Sequence, residues 1–553
     1  MEFDVIVIGG GVNGCGIARD AAMRGLKTIL IEKNDFGSGT TGASSQMIHG
    51  GARYLMSSLK TTRLSSIDSG YIQKIAPHLL FRIPFLFPVL RNPEGSSIGK
   101  KIYLTLLETF FQAYDKYSEL KNGKVHTRLN RDEALAIEPD LNGDVLGAVT
   151  FDEWGIDSFR LCVANALSAA QHGAEVCNHT EVREFLQEDG EIVGVKVFDT
   201  VQKSWREIRG KLTVNAAGPW APKIAQMAGC EIKLRPAKGV HVTFDRRLSN
   251  YAILGRAIDG RSIFLMPYQN VTVMGTTDDD YFGDPDEIPI LEDEVEYLLE
   301  GIARVFPRVR QARRIRAWAG IRPTLYERGP YEDDLTRDHR IFDHEFVDRK
   351  PGLISLAGGK LASYRLMAEE TVDLLCRKLG RGQPCRTHQV PLPGGERKLD
   401  PHDLSRQYEI PLFAAQRLVY RHGSHAREVL ELTQDQVTLK NAICACDPVL
   451  ECELRYAIRY EWARTLDDLK RRTRFSLGPC QGTRCFLLGA QVLGDELGLS
   501  PQEVFRQTQE ILEKRWAEKL PILEATSIQQ EELCASAYYN VGCLDLWKNP
   551  PTS

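Results

Sequence analysis

A chain of 553 residues that is 43% hydrophobic and 26% charged has ordinary globular composition, which excludes wholesale disorder and allows roughly three or four folding units of about 100–200 residues each. Its net charge of −4 excludes the global positive field that nucleic acid selects, and no apolar run approaches the ~18 residues that would span a bilayer. The thirteen cysteines do not make a disulfide scaffold at this length, and the compartment is read as the reducing cytoplasm.

The acidic start, Met1-Glu2-Phe3-Asp4, runs into an apolar strand and lacks the pattern of a secretory signal. DVIVI at 4–8, a glycine turn, a helical stretch and KTILIE at 27–32 predict strand–turn–helix–strand. Gly9-Gly10-Gly11-Val12-Asn13-Gly14 fits GxGxxG, with Gly9, Gly11 and Gly14 as its three glycines. Such glycines let backbone amides approach a pyrophosphate at a helix N-terminus, and Glu32, at the end of the second strand, is placed to accept hydrogen bonds from ribose hydroxyls. Spacing alone allows NAD or FAD; a loop this close to the N-terminus, with the other glycine-bounded strands far along the chain, favours a permanently held FAD.

Short β runs at 212–216, 271–275 and 353–357 predict that the nucleotide domain is discontinuous, over 1–75, 205–230 and 345–390. A second sheet-rich layer is expected to be inserted at about 80–205 and 230–345. LLFRIPFLFPVL at 79–90 and IYLTLLETFFQAY at 102–114, flanked by Arg82, Arg91, Lys100 and Lys101, suit an interfacial helix on a membrane; the alternative is a cap on the FAD domain. Pro391-Leu392-Pro393-Gly394-Gly395 marks a boundary, followed by a helical linker (391–435), a cysteine-bearing module (436–499) and a helical tail (500–553).

In that module Cys444-Ala445-Cys446 is followed by Cys480-Gln481-Gly482-Thr483-Arg484-Cys485. Four thiolates in two close pairs can hold a [2Fe–2S] cluster; a four-cysteine zinc site is the alternative. Asp447-Pro448 predicts a helix start, with Leu450, Leu454, Ile458 and Trp462 as its buried face and its N-terminal dipole toward the cluster. Arg471, Arg472 and Arg474 are expected to add positive charge there. Ser500-Pro501-Gln502-Glu503 is a capping box opening a further helix, for packing or for contact between copies in a homo-oligomer.

Ser44-Ser45-Gln46-Met47-Ile48-His49-Gly50-Gly51-Ala52-Arg53-Tyr54-Leu55 resembles the SS-x-x-x-HGG-x-RYL segment of FAD-dependent glycerol-3-phosphate dehydrogenases. Five further blocks resemble that family in the same order: Asn215–Trp220, Lys238–His241, Gly275–Asp278, Gly320–Pro323 and Gly358–Arg365. The C-terminal part resembles the corresponding subunit of the anaerobic enzyme, with its bacterioferritin-associated-ferredoxin-like [2Fe–2S] domain, whereas 76–118 is closer to the aerobic, single-chain branch.

The resemblance implies an α/β fold of the D-amino-acid-oxidase-like type: a Rossmann-type FAD domain, an antiparallel-sheet substrate domain and a helical C-terminal module. It implies hydride transfer from glycerol 3-phosphate to FAD, giving dihydroxyacetone phosphate. Electrons would pass through the cluster to a quinone or partner subunit, with the protein peripheral on the inner face of the cytoplasmic membrane. FAD would contact Thr40, Thr41, Ser45, Gly218, Gly359 and Leu361 besides the glycine loop and Glu32. Arg53, Tyr54, Arg322 and Lys360 would bind substrate. Arg322, Lys360, His241 and His49 are the catalytic set, with either histidine open as the base. Two rival readings are an oxidase of another small 2-hydroxy or amino acid and a non-catalytic flavin/iron–sulfur electron carrier.

Overall fold

The computed structural model describes residues 2–51, 59–91, 97–329, 338–542 and 544. Two sheets organise it. The first runs His339–Asp343, Leu353–Gly358, Ser204–Asn215, Glu2–Ile8, Thr28–Ile31, Glu175–Cys177, with the hairpin Thr180–Glu188/Glu191–Asp199 attached to Ser204–Asn215. Its centre is parallel, as βαβ crossovers require, and is buried by Val12–Met23, Ser158–Gln171 and Tyr364–Leu379. The second sheet is mostly antiparallel. It runs Asp279–Asp280, Leu234–Phe244, Val271–Gly275, Ser262–Tyr268, Ala252–Arg256, Leu80–Leu90, Val145–Ile156, Thr127–Asn130, with Arg314–Leu325 also on Leu234–Phe244. This is the expected two-layer fold with a helical C-terminal module.

Three sequence expectations about elements are corrected. The strands of 175–199 pair in the first sheet, so its residues extend well before 205, whereas the 271–275 run lies in the second sheet, within the bounds expected for the inserted layer. Residues 79–90 form no interfacial helix. Leu80–Leu90 is a strand inside the second sheet, with Ile83, Phe85, Leu86 and Val89 buried. Pro84 and Pro88 inside the run are incompatible with an uninterrupted helix. The following helix, Ser97–Asp115, buries Leu104, Phe111 and Tyr114 and leaves Ile102 and Leu106 exposed. Among the described residues, no helix is long and apolar enough to cross a membrane.

Asp447-Pro448 does not open a helix. It lies in the tight reversal between the short strands Ala442–Cys444 and Val449–Leu450, and the helix is Glu451–Tyr460. Leu450, Leu454 and Ile458 are buried as expected, but Trp462 lies beyond the helix end. Asp447 is fully buried because Arg474, Arg417 and Arg421 surround it, with Arg474 Nε at 3.0 Å. The helix N-terminus beside the cysteines is instead that of Phe486–Leu497, whose cap residue is Cys485.

Arg471 and Arg472 do not face the cysteines as uncompensated charge. Arg472 donates to both carboxylate oxygens of Asp35 at 2.7 Å, and Arg471 Nε donates to Asp35 at 2.7 Å. Asp35 closes the loop after the second strand of the nucleotide sheet, so this pair ties the C-terminal module to the first domain. Around it, Arg160 makes a bidentate pair with Glu461 (2.6 and 2.9 Å), His179 meets Asp468 at 2.8 Å, and Phe36 meets Trp462 edge-on. Leu392, in the expected boundary, is fully buried in the core of the first domain, and its amide bonds Ile75 at 2.8 Å. The helix Pro501–Lys519 carries the expected capping box and packs on the second sheet through Arg316–Glu518.

Burial alone would push the Asp35 carboxyl up, but Arg472 and Arg471 more than offset it and hold it far below the usual carboxylate range. A carboxyl depressed on folding stabilises fully above its unfolded value of about 4 and loses that contribution as pH falls through its folded value. Asp35→Asn strands two buried cations, and should lower stability at neutral pH by about 3–5 kcal/mol. Urea unfolding at pH 7 checks this, and the deficit relative to wild type should shrink only in strong acid.

Candidate active site

One large cavity, about 670 Å³, opens between the two sheets, within the usual range of about 300–1,000 Å³ for ligand sites. One end is the glycine loop. Gly9 has φ +107°, and a Cβ there would lie 2.7 Å from the Ala216 carbonyl oxygen. Gly11 caps the helix Val12–Met23 and exposes its first turn to the cavity. Gly14 does not line the cavity; a Cβ there would sit 1.8 Å from the Gly9 carbonyl oxygen. The loop can therefore approach a diphosphate only because these positions lack side chains.

Glu32 lines the cavity next to this loop, with one oxygen accepting from the Gly10 amide (2.5 Å) and the other from the Asn34 amide (2.8 Å). Burial pushes its carboxyl up, against the pull of the Asn34 and Gly10 amides. Thr40, Thr41, Ser45, Gly218, Gly359 and Leu361 also line the cavity. Thr41 Oγ1 accepts from the Val12 amide at 3.1 Å, fastening the 38–46 loop to the helix start. This donor-rich cradle fits the diphosphate and ribose of a dinucleotide.

The other end of the cavity carries charge. His49, His241, Arg322 and Lys360 all line it. Arg53 and Tyr54 lie outside the described residues. Arg322 sits on the strand Arg314–Leu325, ion-paired with Asp278, with Nη1 donating to Thr277 O and Nη2 to Thr276 Oγ1, each at 3.2 Å. Lys360 follows Gly358 and Gly359, which have φ +81° and +85°; these turns bring the chain end of Leu353–Gly358 to the cavity. His241 is buried, stacked on Trp318 at 5.0 Å, with Nε2 2.9 Å from Ser45 Oγ. Burial and the nearby Arg322 lower it to about 3, so it is neutral at working pH.

Asp278, Arg261 and Glu153 join the site without having been expected from the sequence. Arg261 approaches Asp278 at 3.7 Å, joining two cations through one carboxylate. Glu153 lines the apolar wall with Phe85, Phe111 and Phe151. It accepts from Tyr114 OH (2.6 Å) and pairs with Lys121 (3.0 Å), while its Oε2 is buried with no hydrogen-bond partner among the described residues. Asp278 ends a recognised block, which was a usable signal; the other two carry no motif.

The four cysteines come together in the C-terminal module. Cys444 interacts directly with Cys485, and Cys446 with Cys480, and Cys485 feels the other three. The Cys485 thiol, with the amides of Asp447 and Ser476, lowers Cys444 to about 6; burial pushes Cys446 up to about 11. Gly478 packs on this site: a Cβ there would fall 2.5 Å from that of Cys446. Four sulfur donors that influence one another electrostatically, beside a helix N-terminus, form a fitting set for an anionic thiolate-ligated centre.

Residues 4–365 match the FAD dependent oxidoreductase family, and residues 385–504 match the C-terminal domain of alpha-glycerophosphate oxidase. A glycine cradle facing an antiparallel wall across one cavity is the frame of such a flavoenzyme, and FAD is its cofactor. The chain is 32% identical over 543 residues to a subunit of the anaerobic glycerol-3-phosphate dehydrogenase of Haemophilus influenzae, covering 98% of this chain and 93% of the relative. It is 30% identical over 542 residues to the aerobic glycerol-3-phosphate dehydrogenase of Staphylococcus aureus, covering 92% and 94%. The structure of the glycerol-3-phosphate dehydrogenase of Bacillus halodurans, complexed with FAD, superposes with a TM-score of 0.72 at 25% identity, covering 95% of this chain and 96% of that one. The chain belongs to the FAD-dependent glycerol-3-phosphate dehydrogenase family.

Gly14→Ala puts a methyl group where the Gly9 carbonyl oxygen already lies. The purified variant should lose bound flavin, seen as loss of the yellow absorbance, while Gly25→Ala, at a φ of +80° with open space around it, should keep it.

Proposed function

We propose that this protein oxidises sn-glycerol 3-phosphate to dihydroxyacetone phosphate and delivers the electrons through a [2Fe–2S] cluster held by Cys444, Cys446, Cys480 and Cys485 to a quinone or a partner subunit. The observation that carries the substrate reading is the charged end of the flavin cavity, where Arg322, Arg261 and Lys360 gather with Asp278 as the counter-charge. The relatives' names support the same substrate. FAD, when bound, supplies the hydride acceptor.

The residues supply the rest. Arg322 offers a forked guanidinium suited to a phosphate, and its bonds to Thr276, Thr277 and Asp278 fix its direction before substrate arrives. Lys360 adds a point charge at the edge of the glycine turn, near the oxygen that becomes a carbonyl. Neutral His241, positioned by Ser45 and Trp318, is a poor base because its conjugate acid is disfavoured there. We assign the hydroxyl proton to His49, the other imidazole among the described residues that line the cavity. The apolar wall of Phe85, Phe111 and Phe151 keeps water from the reacting carbon.

A single zinc ion would draw its four thiolates within about 3.8 Å of each other, and among the described residues these four do not form a group whose ligand atoms all lie within 4.8 Å, which favours a two-iron cluster. Glycerol 3-phosphate should bleach the flavin anaerobically, and glycerol should be a very poor substrate. Arg322→Ala should lower kcat/KM by about 2–3 kcal/mol, roughly 30- to 150-fold. His49→Gln should remove the limb of the pH–rate profile that reports the base, and His241→Gln should leave that limb in place. Equal turnover of glycerol and glycerol 3-phosphate would overturn the phosphate reading.

A further inference from the structure

The cysteine module meets the flavin cavity through a line of hydrogen bonds that runs through buried side chains. Gln46 lines the cavity. Its Oε1 accepts from Tyr268 OH at 2.8 Å. Tyr268 OH accepts from Arg474 Nη1 at 3.0 Å, and the Arg474 guanidinium also lies over the Tyr268 ring, 4.8 Å from its centroid. Arg474 Nε donates to Asp447 Oδ2 at 3.0 Å. Asp447 directly follows Cys446 in the chain, so the line ends beside the cysteines. Tyr268, Arg474 and Asp447 are all buried, so bulk water does not interrupt the line. The same wall, Ser44–Gln46 with Trp318, closes a second cavity whose far side is Arg474, Leu477 and Gln481, next to Cys480.

A largely buried polar line between two redox sites is an unusual use of a protein interior. Burying Arg474 and Asp447 is costly, and the pair alone does not require Tyr268. Tyr268 ends the strand Ser262–Tyr268 and is the one residue of the line that bonds both the cavity wall and the module. A second contact between the same hairpin and the module, Asn270 Nδ2 to Cys446 O at 2.9 Å, lies off the line.

We propose that Gln46–Tyr268–Arg474–Asp447 is the bridge along which electrons leave the flavin for the cluster, with the Tyr268 hydroxyl as its central link. The proposal rests on the cluster reading given above. With FAD and the cluster bound, each passage along these residues would carry one electron, lost by the reduced flavin and gained by the oxidised cluster, with the accompanying proton released through the open cavity to solvent. Tyr268 and Arg474 stay in one charge state throughout and act by position.

The test compares wild type, Tyr268→Phe and Asn270→Ala, each purified with flavin and assayed for iron and acid-labile sulfide. Glycerol 3-phosphate is mixed anaerobically, and flavin bleaching and cluster reduction are followed separately by absorbance; the cluster's midpoint potential and the unfolding midpoint are also measured. Tyr268→Phe keeps the ring and its burial, and should retain the wild-type flavin-bleaching rate and cluster content while losing the fast phase of cluster reduction. Asn270→Ala, which loosens the same contact without touching the line, should keep that phase. A fast phase unchanged in Tyr268→Phe, or lost equally in Asn270→Ala, overturns the bridge, as does a slowing wholly explained by a shifted cluster potential. A wild-type protein with no iron–sulfur signal overturns the cluster reading itself, and the bridge with it.

Discussion

The arrangement of this molecule depends on one buried ion pair, Asp35 with Arg471 and Arg472. Asp35 lies three residues beyond Glu32, so the loop that shapes the ribose end of the flavin site is also the anchor of the C-terminal module. Arg472 is fully buried and both oxygens of Asp35 receive its guanidinium. Breaking such a pair leaves an uncompensated charge in the interior, which makes the docked geometry hard to relax. The neighbouring pairs Arg160–Glu461 and His179–Asp468 cross the same junction. The cysteine site is consequently held against the cavity wall through Tyr268 and Asn270, instead of swinging on a linker.

The cavity shows a matching division. Its nucleotide end works through missing side chains and backbone amides, which bind without charge. Its far end works through cations pinned by Asp278. His241 belongs to neither: held neutral by burial and Arg322, it orders Ser45 and separates the cavity from Trp318.

What the sequence made legible follows from how locally each feature is encoded. The glycine loop and Glu32 are fixed by backbone requirements within one βαβ unit, and they were readable with their partners. The four cysteines were readable as two pairs because their spacing is local; that Cys444 is influenced by Cys485, and Cys446 by Cys480, required the fold. The strand Leu80–Leu90 reads locally as a helix because a strand with neighbours on both edges and a helix on one face is apolar nearly throughout; Pro84 and Pro88 are the discriminating signal. Asp447 reads locally as a helix cap because Asp-Pro suits one. Its burial is decided by Arg417, Arg421 and Arg474, which come from distant segments. Tyr268 and Glu153 are single polar residues in strand patterns, and nothing in their local sequence distinguishes them from ordinary alternation.

The central claim is that glycerol 3-phosphate loads electrons onto flavin and then onto a two-iron cluster within one chain. It is tested most directly by anaerobic titration of the purified protein with glycerol 3-phosphate, recording flavin absorbance and low-temperature electron paramagnetic resonance on the same samples. The account predicts flavin bleaching accompanied by the signal of a singly reduced [2Fe–2S] cluster. Flavin bleaching in a protein that contains zinc and shows no such signal would contradict it.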